Sequence, residues 1–195
     1  MKKIFLSTSN VLPIPAVRGG ATETLIDILI KENEIKKQCF FYILCKYDQL
    51  AELRSASLKF TRIIYFKSIR ESSIFELLGD KEIYIYLAAR LANLFRLVKS
   101  DMPPRYYYFS YRMCKKIRPD YFVAEGGVYE FYEKLKGIIS SDRRFAHFHR
   151  VVHGNDRLWE IFPNAIGCSE YVKNAYLGQG SANILSANVV RNCCN

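Results

Sequence analysis

The three histidines of the chain lie close together, between Phe145 and His153. His147 and His149 stand two positions apart, and alternate residues of a β-strand share one face, so both imidazoles would lie side by side. A metal site is the first chemistry to test, but no Cys, Asp or Glu stands at a recognisable ligand spacing nearby, so the pattern for zinc is weak. His149 at the end of a strand can instead bond a ligand hydroxyl or hold a proton near neutral pH. A structural histidine, satisfied within the fold, is the alternative.

Glu125 has a similar position, directly after the apolar segment Tyr121–Ala124. A carboxylate at the end of a strand can orient a hydroxyl or act as a base. The alternatives are a solvated loop charge and an acidic residue at the start of a helix. Glu125 is therefore a second candidate for chemistry.

A glycine pair, Gly19-Gly20, separates an opening apolar run from a helical pattern. Glycines let the backbone approach a ligand closely, and the start of a helix offers unpaired N–H groups and a positive dipole end. The loop is therefore a candidate cradle for an anion or a hydroxyl. It is neither a G-x-G-x-x-G fingerprint nor a P-loop, and glycine pairs are also common in turns that bind nothing.

Seven apolar segments rich in β-branched and aromatic residues could position these groups. Most are continuous runs, which is typical of strands covered on both faces, and helical patterns separate them. We therefore predict an α/β fold with a Rossmann-like, doubly wound, mostly parallel sheet flanked by helices. Ligands bind such sheets at the carboxyl ends of the strands, which would bring Gly19-Gly20, Glu125-Gly126-Gly127 and His149 to one crevice. The predicted strands are Ile4–Ser7, Cys39–Cys45, Arg62–Phe66, Tyr121–Ala124, Phe145–Phe148, Ala165–Cys168 and Ile184–Val190.

Helices are predicted from the spacing of apolar residues. After the glycines, Ala21, Leu25, Ile28 and Leu29 recur on one helix face. A longer amphipathic pattern covers residues 81–99, and its apolar face would pack on the sheet or also meet lipid with its basic flanks.

Two further segments carry helix signals. Residues 105–116 mix aromatics with cations, which suits an interfacial surface or equally a helix that leads into the strand at Tyr121. Ser169 and Gly178 are expected to cap a helix, since no G-x-S-x-G elbow surrounds that serine.

The charge balance limits the partners. Lys and Arg total 29 against 19 Asp and Glu, and the formal charge of +10 favours nucleic acid, an anionic membrane surface or a phosphorylated ligand. The charge is dispersed and forms no basic block, which argues against nucleic acid as the partner. No apolar run approaches the roughly 20 residues of a spanning helix, and none forms a signal-peptide core, so a cytoplasmic location is expected. The six cysteines form no C-x-x-C pair and are expected to be reduced thiols.

Five motifs occur in an order that resembles the N-terminal half of a family-4 retaining glycosyltransferase with the GT-B fold. The last motif departs from the family, which usually has Gly-Val-Asp where this chain has Cys193-Cys194-Asn195. The chain also stops there, so the resemblance implies a single acceptor-side domain over residues 1–195, without the C-terminal donor-binding domain. The motifs lie in Leu12–Glu23, Pro119–Glu125, Ala146–His149, Cys168–Lys173 and Val189–Asn195.

The resemblance implies a hexosyltransferase that moves a sugar from a nucleotide-sugar donor to a lipid-linked or polysaccharide acceptor, as in cell-surface polysaccharide biosynthesis. It implies no metal and no cofactor, and a 195-residue piece that is inactive alone. His149 would contact the transferred sugar, with Glu125 as the second catalytic residue. The substrate-binding residues would be Arg18, Gly19, Gly20, Ala21, Glu23 and Asn192.

Two other functions stay open at this point. A noncatalytic sugar- or lipid-binding module of the same fold is favoured by the missing donor domain. A basic nucleic-acid-binding α/β protein is favoured by charge and aromatic content alone. The positive charge also agrees with a peripheral domain on the inner face of the cell membrane, close to a lipid-linked acceptor.

Overall fold

Seven strands form the centre of the protein, and each lies where an apolar segment predicts one. A computed structural model describes residues 1–67, 104–126, 129–151, 156–179 and 183–190. All seven predicted strands are confirmed, with ends that shift by two residues at most. They are β1 (Lys2–Ser7), β2 (Cys39–Lys46), β3 (Thr61–Phe66), β4 (Tyr121–Glu125), β5 (Arg144–Phe148), β6 (Asn164–Gly167) and β7 (Ser186–Val189).

The strands make one sheet in the order β3-β2-β1-β4-β5-β6-β7, and every neighbouring pair is parallel. The chain builds outward from β1 to β3 and then returns to place β4 on the other side of β1. The direction of winding therefore reverses between β1 and β4, which is where doubly wound sheets bind ligands. The predicted Rossmann-like α/β fold is confirmed.

Helices connect the strands. The aromatic and basic segment after residue 104 is a helix that leads into β4, in agreement with one of its two interpretations. Ser169 Oγ accepts a hydrogen bond from Val172 N at 3.2 Å, and that helix ends before Gly178, as predicted. In the described residues the helices are α1 (Ala21–Lys36), α2 (Gln49–Ser55), α3 (Pro104–Ile117), α4 (Asp156–Ile161) and α5 (Glu170–Leu177), with 3-10 helices at Tyr129–Gly137 and Ser141–Arg143.

Some predictions concern other parts of the chain. The amphipathic pattern over residues 81–99 lies outside the described residues. None of the helices in the described parts combines the length and the apolar character that crossing a bilayer requires. The four described cysteines, Cys39, Cys45, Cys114 and Cys168, are free thiols, as expected.

Both faces of the sheet are covered. The neighbouring residues Phe5 and Leu6 of β1 belong to two different buried clusters, because successive side chains of a strand point to opposite faces. Aromatic rings dominate the cluster around Phe5, where Phe122 stacks on Phe5 with ring centroids 5.6 Å apart. Aliphatic side chains dominate the cluster around Leu6. Because both faces of the sheet are buried, most of its strands are continuous apolar runs in the sequence.

The predicted helix after the glycines is confirmed as α1, but the face that apolar spacing selects is not the face that is buried. Ile28 and Leu29 are 48% and 45% exposed, whereas Ile26 and Ile30 are buried in the cluster around Leu6. α1 is therefore rotated about its axis, relative to the orientation in which the face selected by apolar spacing would pack on the sheet.

Polar residues on the buried side explain the rotation. Asn33 Nδ2 donates to the Cys39 carbonyl at 2.9 Å and Asn33 Oδ1 accepts from Cys39 N at 3.1 Å, so its amide joins the end of α1 to the start of β2. Asp27 Oδ2 accepts from Arg54 Nη2 of α2 at 2.9 Å. Burying polar groups is tolerated when they are hydrogen-bonded, and both partners lie outside α1, in β2 and α2.

The orientation of α1 can be tested with two isoleucines of the same helix. Ile30→Ala removes a side chain that is 1% exposed and should lower the free energy of unfolding by about 2–5 kcal/mol, because it leaves a cavity. Ile28→Ala is the matched control and should change it by less than about 1 kcal/mol. Urea denaturation of both variants checks this, and equal losses would contradict the assigned face.

Candidate functional site

Three neighbouring strands end together at the carboxyl edge of the sheet. β1 ends at Ser7, β4 at Glu125 and β5 at Phe148, and the loops that follow meet there. A Cβ placed on Gly126 would lie 3.8 Å from Ser9 Cβ, in ordinary van der Waals contact. The loop after β1 therefore touches the end of β4 at the point where the winding reverses.

A buried carboxylate lies between two imidazoles at this edge. Glu125 is 6% exposed, and its Oε1 and Oε2 lie 2.8 and 3.0 Å from His147 Nδ1. Its Oε2 is also 3.0 Å from His149 Nε2. The two imidazole centroids are 4.3 Å apart. The structure thus brings together the two residues expected to be catalytic and adds His147 to them.

Strand pairing creates this cluster. Glu125 is the last residue of β4 and lies directly opposite His147 of β5 in the parallel register. His149 follows two positions later, so its ring lies beside that of His147, as the alternation of a strand predicts. Cys168, just after β6, has its Sγ 3.4 Å from the His149 carbonyl and joins the next loop to the same segment.

The charge of Glu125 follows from its surroundings. Burial raises the pKa of this carboxyl, but the hydrogen bonds from His147 and His149 outweigh it and lower the pKa below its ordinary value. Glu125 is therefore ionised at neutral pH and can only accept hydrogen bonds. Each imidazole must donate to it, His147 from Nδ1 and His149 from Nε2.

These bonds fix the tautomer of a neutral His149. With its proton on Nε2, the lone pair lies on Nδ1, where it can accept a hydrogen bond or a proton from a hydroxyl. The His149 side chain is 28% exposed, against 12% for His147. His149 is therefore the more accessible imidazole, and the buried Glu125 carboxylate orients its ring.

The same three residues are of the kind that holds a metal ion, since their ligand atoms all lie within 4.8 Å of one another. Their oxygen–nitrogen separations of 2.8–3.0 Å are hydrogen-bond lengths. Tetrahedral zinc would hold neighbouring ligand atoms about 3.3 Å apart. His147 Nε2 is buried without a hydrogen-bond partner among the described residues, whereas a metal-bound histidine donates its second N–H to an acceptor. The arrangement fits a hydrogen-bonded cluster better than a metal centre.

The glycine loop needs its glycines. Gly19 and Gly20 have φ angles of +79° and +96°, and Gly20 is the residue before the first turn of α1. A Cβ on Gly20 would lie 2.1 Å from Glu23 Oε2 and 2.7 Å from Leu12 Cδ1, closer than atoms can approach. Glu23 is 6% exposed, and no described residue hydrogen-bonds its carboxylate. A buried carboxylate thus lies against the backbone of the loop.

Other predicted site residues have clear positions. Arg18 Nε donates to Asp48 Oδ2 at 2.8 Å, and Asp48 also caps α2, so Arg18 holds the loop to the β2 side of the sheet. Ala21 is the exposed first residue of α1. Asn192 and Gly127 lie outside the described residues. The glycine loop and the Glu125 cluster therefore follow adjacent strands on opposite sides of the winding reversal.

The Gly20 backbone gives the first test of the site. Gly20→Ala should lower the free energy of unfolding by about 1–3 kcal/mol, because a side chain is strained at this φ, and the ends of the Glu23 and Leu12 side chains must also move to make room. Gly137→Ala is the control, since a Cβ there meets nothing within 4 Å. Urea denaturation measures both, and a neutral Gly20→Ala would show that the loop relaxes freely.

The Glu125 charge gives the second test. A carboxyl with a lowered pKa in the folded state contributes stability above its ordinary pKa of 4.5 and loses it as the pH falls through the folded value. The wild type should therefore lose stability below about pH 5 more steeply than Glu125→Gln. Unfolding free energies measured from pH 7 to pH 3 check this, and parallel curves would contradict the charged state assigned to Glu125.

Comparisons with known proteins bear on the fold. No protein-family model matches the chain, and no curated protein matches it in sequence. Among solved structures, the chain is similar to the apo form of the lipopolysaccharide outer core galactosyltransferase WaaB, with a TM-score of 0.50 and 14% sequence identity. The match covers 95% of this chain and 44% of that protein, so the chain spans less than half its length. At this identity the likeness shows the fold alone, which is the Rossmann-like parallel sheet described above.

Proposed function

We propose that the chain is the acceptor-side domain of a family-4 retaining glycosyltransferase, which transfers a hexose from a nucleotide-sugar donor to a lipid-linked or polysaccharide acceptor. The GT-B-like sheet supports this at the level of the fold. The observation that carries the proposal is the hydrogen bond from His149 Nε2 to the buried Glu125 carboxylate. It leaves a lone pair on the accessible imidazole, at the edge where sheets of this class bind ligands.

In this proposal His149 is the residue that touches the sugar. Its Nδ1 accepts a hydrogen bond from a hydroxyl of the transferred hexose, and the imidazole can take up positive charge as the reaction proceeds. Glu125 acts through His149 as a positioning residue, because it is buried beneath the two rings. His147 shares the carboxylate and limits its rotation.

The glycine loop has a separate role. When the bond between the anomeric carbon and the donor phosphate oxygen breaks, negative charge gathers on the departing phosphate. The exposed backbone N–H groups at Gly19, Gly20 and Ala21 lie at the start of a 16-residue helix, whose positive end stabilises such charge. The Glu23 carboxylate, which no described residue hydrogen-bonds, is an acceptor for a sugar hydroxyl in the same loop.

Two further components belong to the proposal. Because the chain matches 44% of the galactosyltransferase, a second Rossmann-like domain would close the crevice and hold the nucleotide. The net charge of +10 suits a cytoplasmic protein that rests on the inner face of an anionic membrane to reach a lipid-linked acceptor. We propose that transfer proceeds with retention and without a metal.

Kinetics of the protein that carries both domains test these roles. Nucleotide release from a panel of nucleotide sugars reports turnover, with and without EDTA. His149→Ala should lower kcat about a hundredfold, because it removes the side chain that contacts the sugar. Glu125→Gln should lower kcat about tenfold, because it weakens the hydrogen bond that orients the imidazole. In the His149→Ala background, Glu125→Gln should have almost no further effect, because Glu125 acts through that imidazole.

The outcomes separate the alternatives. Additive losses would show that Glu125 has a role independent of His149. Wild-type turnover in His149→Ala would overturn the assignment of the sugar contact, and loss of turnover in EDTA would overturn the metal-free mechanism. Sugar binding without turnover in the two-domain protein would favour a noncatalytic module.

A further inference from the structure

A second cleft lies at the opposite edge of the sheet, where β5, β6 and β7 begin. Its volume is about 360 Å³, and its walls include Lys136, Ser141, Arg144, Trp159 and Glu160. Arg144 is the first residue of β5, whereas Glu125 and His149 lie at the carboxyl edge. The cleft is therefore separate from the candidate active site, and its ability to bind a ligand is independent of the proposed function.

Arg144 is the unusual residue of this cleft. It is 4% exposed, and its Nη2 donates to the Glu160 carbonyl at 3.1 Å. Its Nε and Nη1 are buried and have no hydrogen-bond partner among the described residues. A guanidinium has five N–H donors and no acceptor, so each donor needs a partner on another group. Leaving Nε and Nη1 without a hydrogen bond in the interior is therefore unfavourable.

Within the described part of the chain, no carboxylate balances this cation. The Glu160 side chain is the acidic group in the cleft wall, and its Oε2 is already paired with Lys136 Nζ at 3.0 Å. Lys136, Arg144 and Glu160 together leave one positive charge in excess. The neighbouring Arg143 is half-exposed and pairs with Asp142, outside the cleft wall. Burial lowers the pKa of Arg144, as expected for a cation without a counter-charge.

A purely structural role accounts for only part of this arrangement. The bond to the Glu160 carbonyl places a positive charge near the end of α4, which is favourable at a helix C-terminus. That role occupies Nη2 alone. It leaves unexplained why the rest of a guanidinium is covered without an acceptor next to an open cleft.

We propose that the cleft binds a small phosphorylated molecule, with Arg144 as the principal phosphate ligand. Arginine presents a planar set of donors that suits phosphate oxygens, and a desolvated site strengthens the attraction. Lys136 and the Ser141 hydroxyl add donors at the rim. The volume lies within the range of small-molecule sites, so it holds a phosphate attached to a small organic group. Binding includes a small rotation of the guanidinium toward the cleft, since Nη1 is covered.

Titration of the chain with inorganic phosphate and with glucose 6-phosphate, at constant ionic strength set by chloride, tests this proposal. Isothermal calorimetry should show saturable binding of both, with the sugar phosphate the tighter ligand. Arg144→Met should weaken binding at least about tenfold. Arg143→Met removes a neighbouring exposed charge of the same type and should leave binding unchanged.

A second variant keeps the test valid if Arg144→Met fails to fold. Glu160→Gln removes the negative charge of a half-exposed side chain, frees Lys136, and should tighten phosphate binding severalfold. Phosphate bound at the glycine loop of α1 would be insensitive to both substitutions. Binding that survives Arg144→Met, an unchanged affinity in Glu160→Gln, acetate binding as tight as phosphate, or no saturation below about 10 mM would each overturn the proposal.

Discussion

The carboxyl edge of the sheet is organised around one buried negative charge. A carboxylate that is withdrawn from water needs compensating donors, and Glu125 finds them in two imidazoles at 2.8–3.0 Å. This arrangement requires Glu125 of β4 to lie opposite His147 of β5. A shift of one residue would place Phe148 or Ala146 at that position and leave the charge without donors. The register of β4 and β5 therefore determines which side chains meet at this edge and what chemistry they can do.

An aromatic layer holds β1 and β4 against each other beneath this edge. Phe122 of β4 stacks on Phe5 of β1 and contacts Tyr132 edge to face. The Tyr132 hydroxyl lies 2.8 Å from Ser7 Oγ, and the Tyr106 hydroxyl donates to the Thr8 carbonyl at 3.0 Å. Aromatic packing and buried hydrogen bonds thus fix the end of β1 beneath the point where the winding reverses. The crevice is built on a rigid base, as a preorganised binding site requires.

The sequence predicts more of the fold than of the site. Strands buried on both faces appear as continuous apolar runs, so all seven could be found from local composition. The face of α1 could not, because Asp27 and Asn33 are buried through partners that local periodicity does not reveal. The shared face of His147 and His149 follows from the alternation of a strand.

Contacts across the sheet mark the limit of sequence reasoning. The pairing of Glu125 with both histidines depends on register, which no motif in the chain encodes. For that reason sequence reasoning considered His147 only as a weak metal ligand beside His149, and its bond to Glu125 was found only in the structure. Arg144 carries no sequence signal, since its burial comes from α4 and from the start of β5.

Buried charges distinguish specific recognition from general attraction in this protein. The net charge of +10 is dispersed along the sequence and favours any polyanion equally. Buried groups are different: Asp27 is neutralised by Arg54, and Glu125 by its imidazoles. Glu23 and Arg144 are similarly buried and lack an opposite charge among the described residues. In our two proposals a ligand supplies the partner that the described residues do not give these groups, a sugar hydroxyl at Glu23 and a phosphate at Arg144, at opposite edges of the sheet.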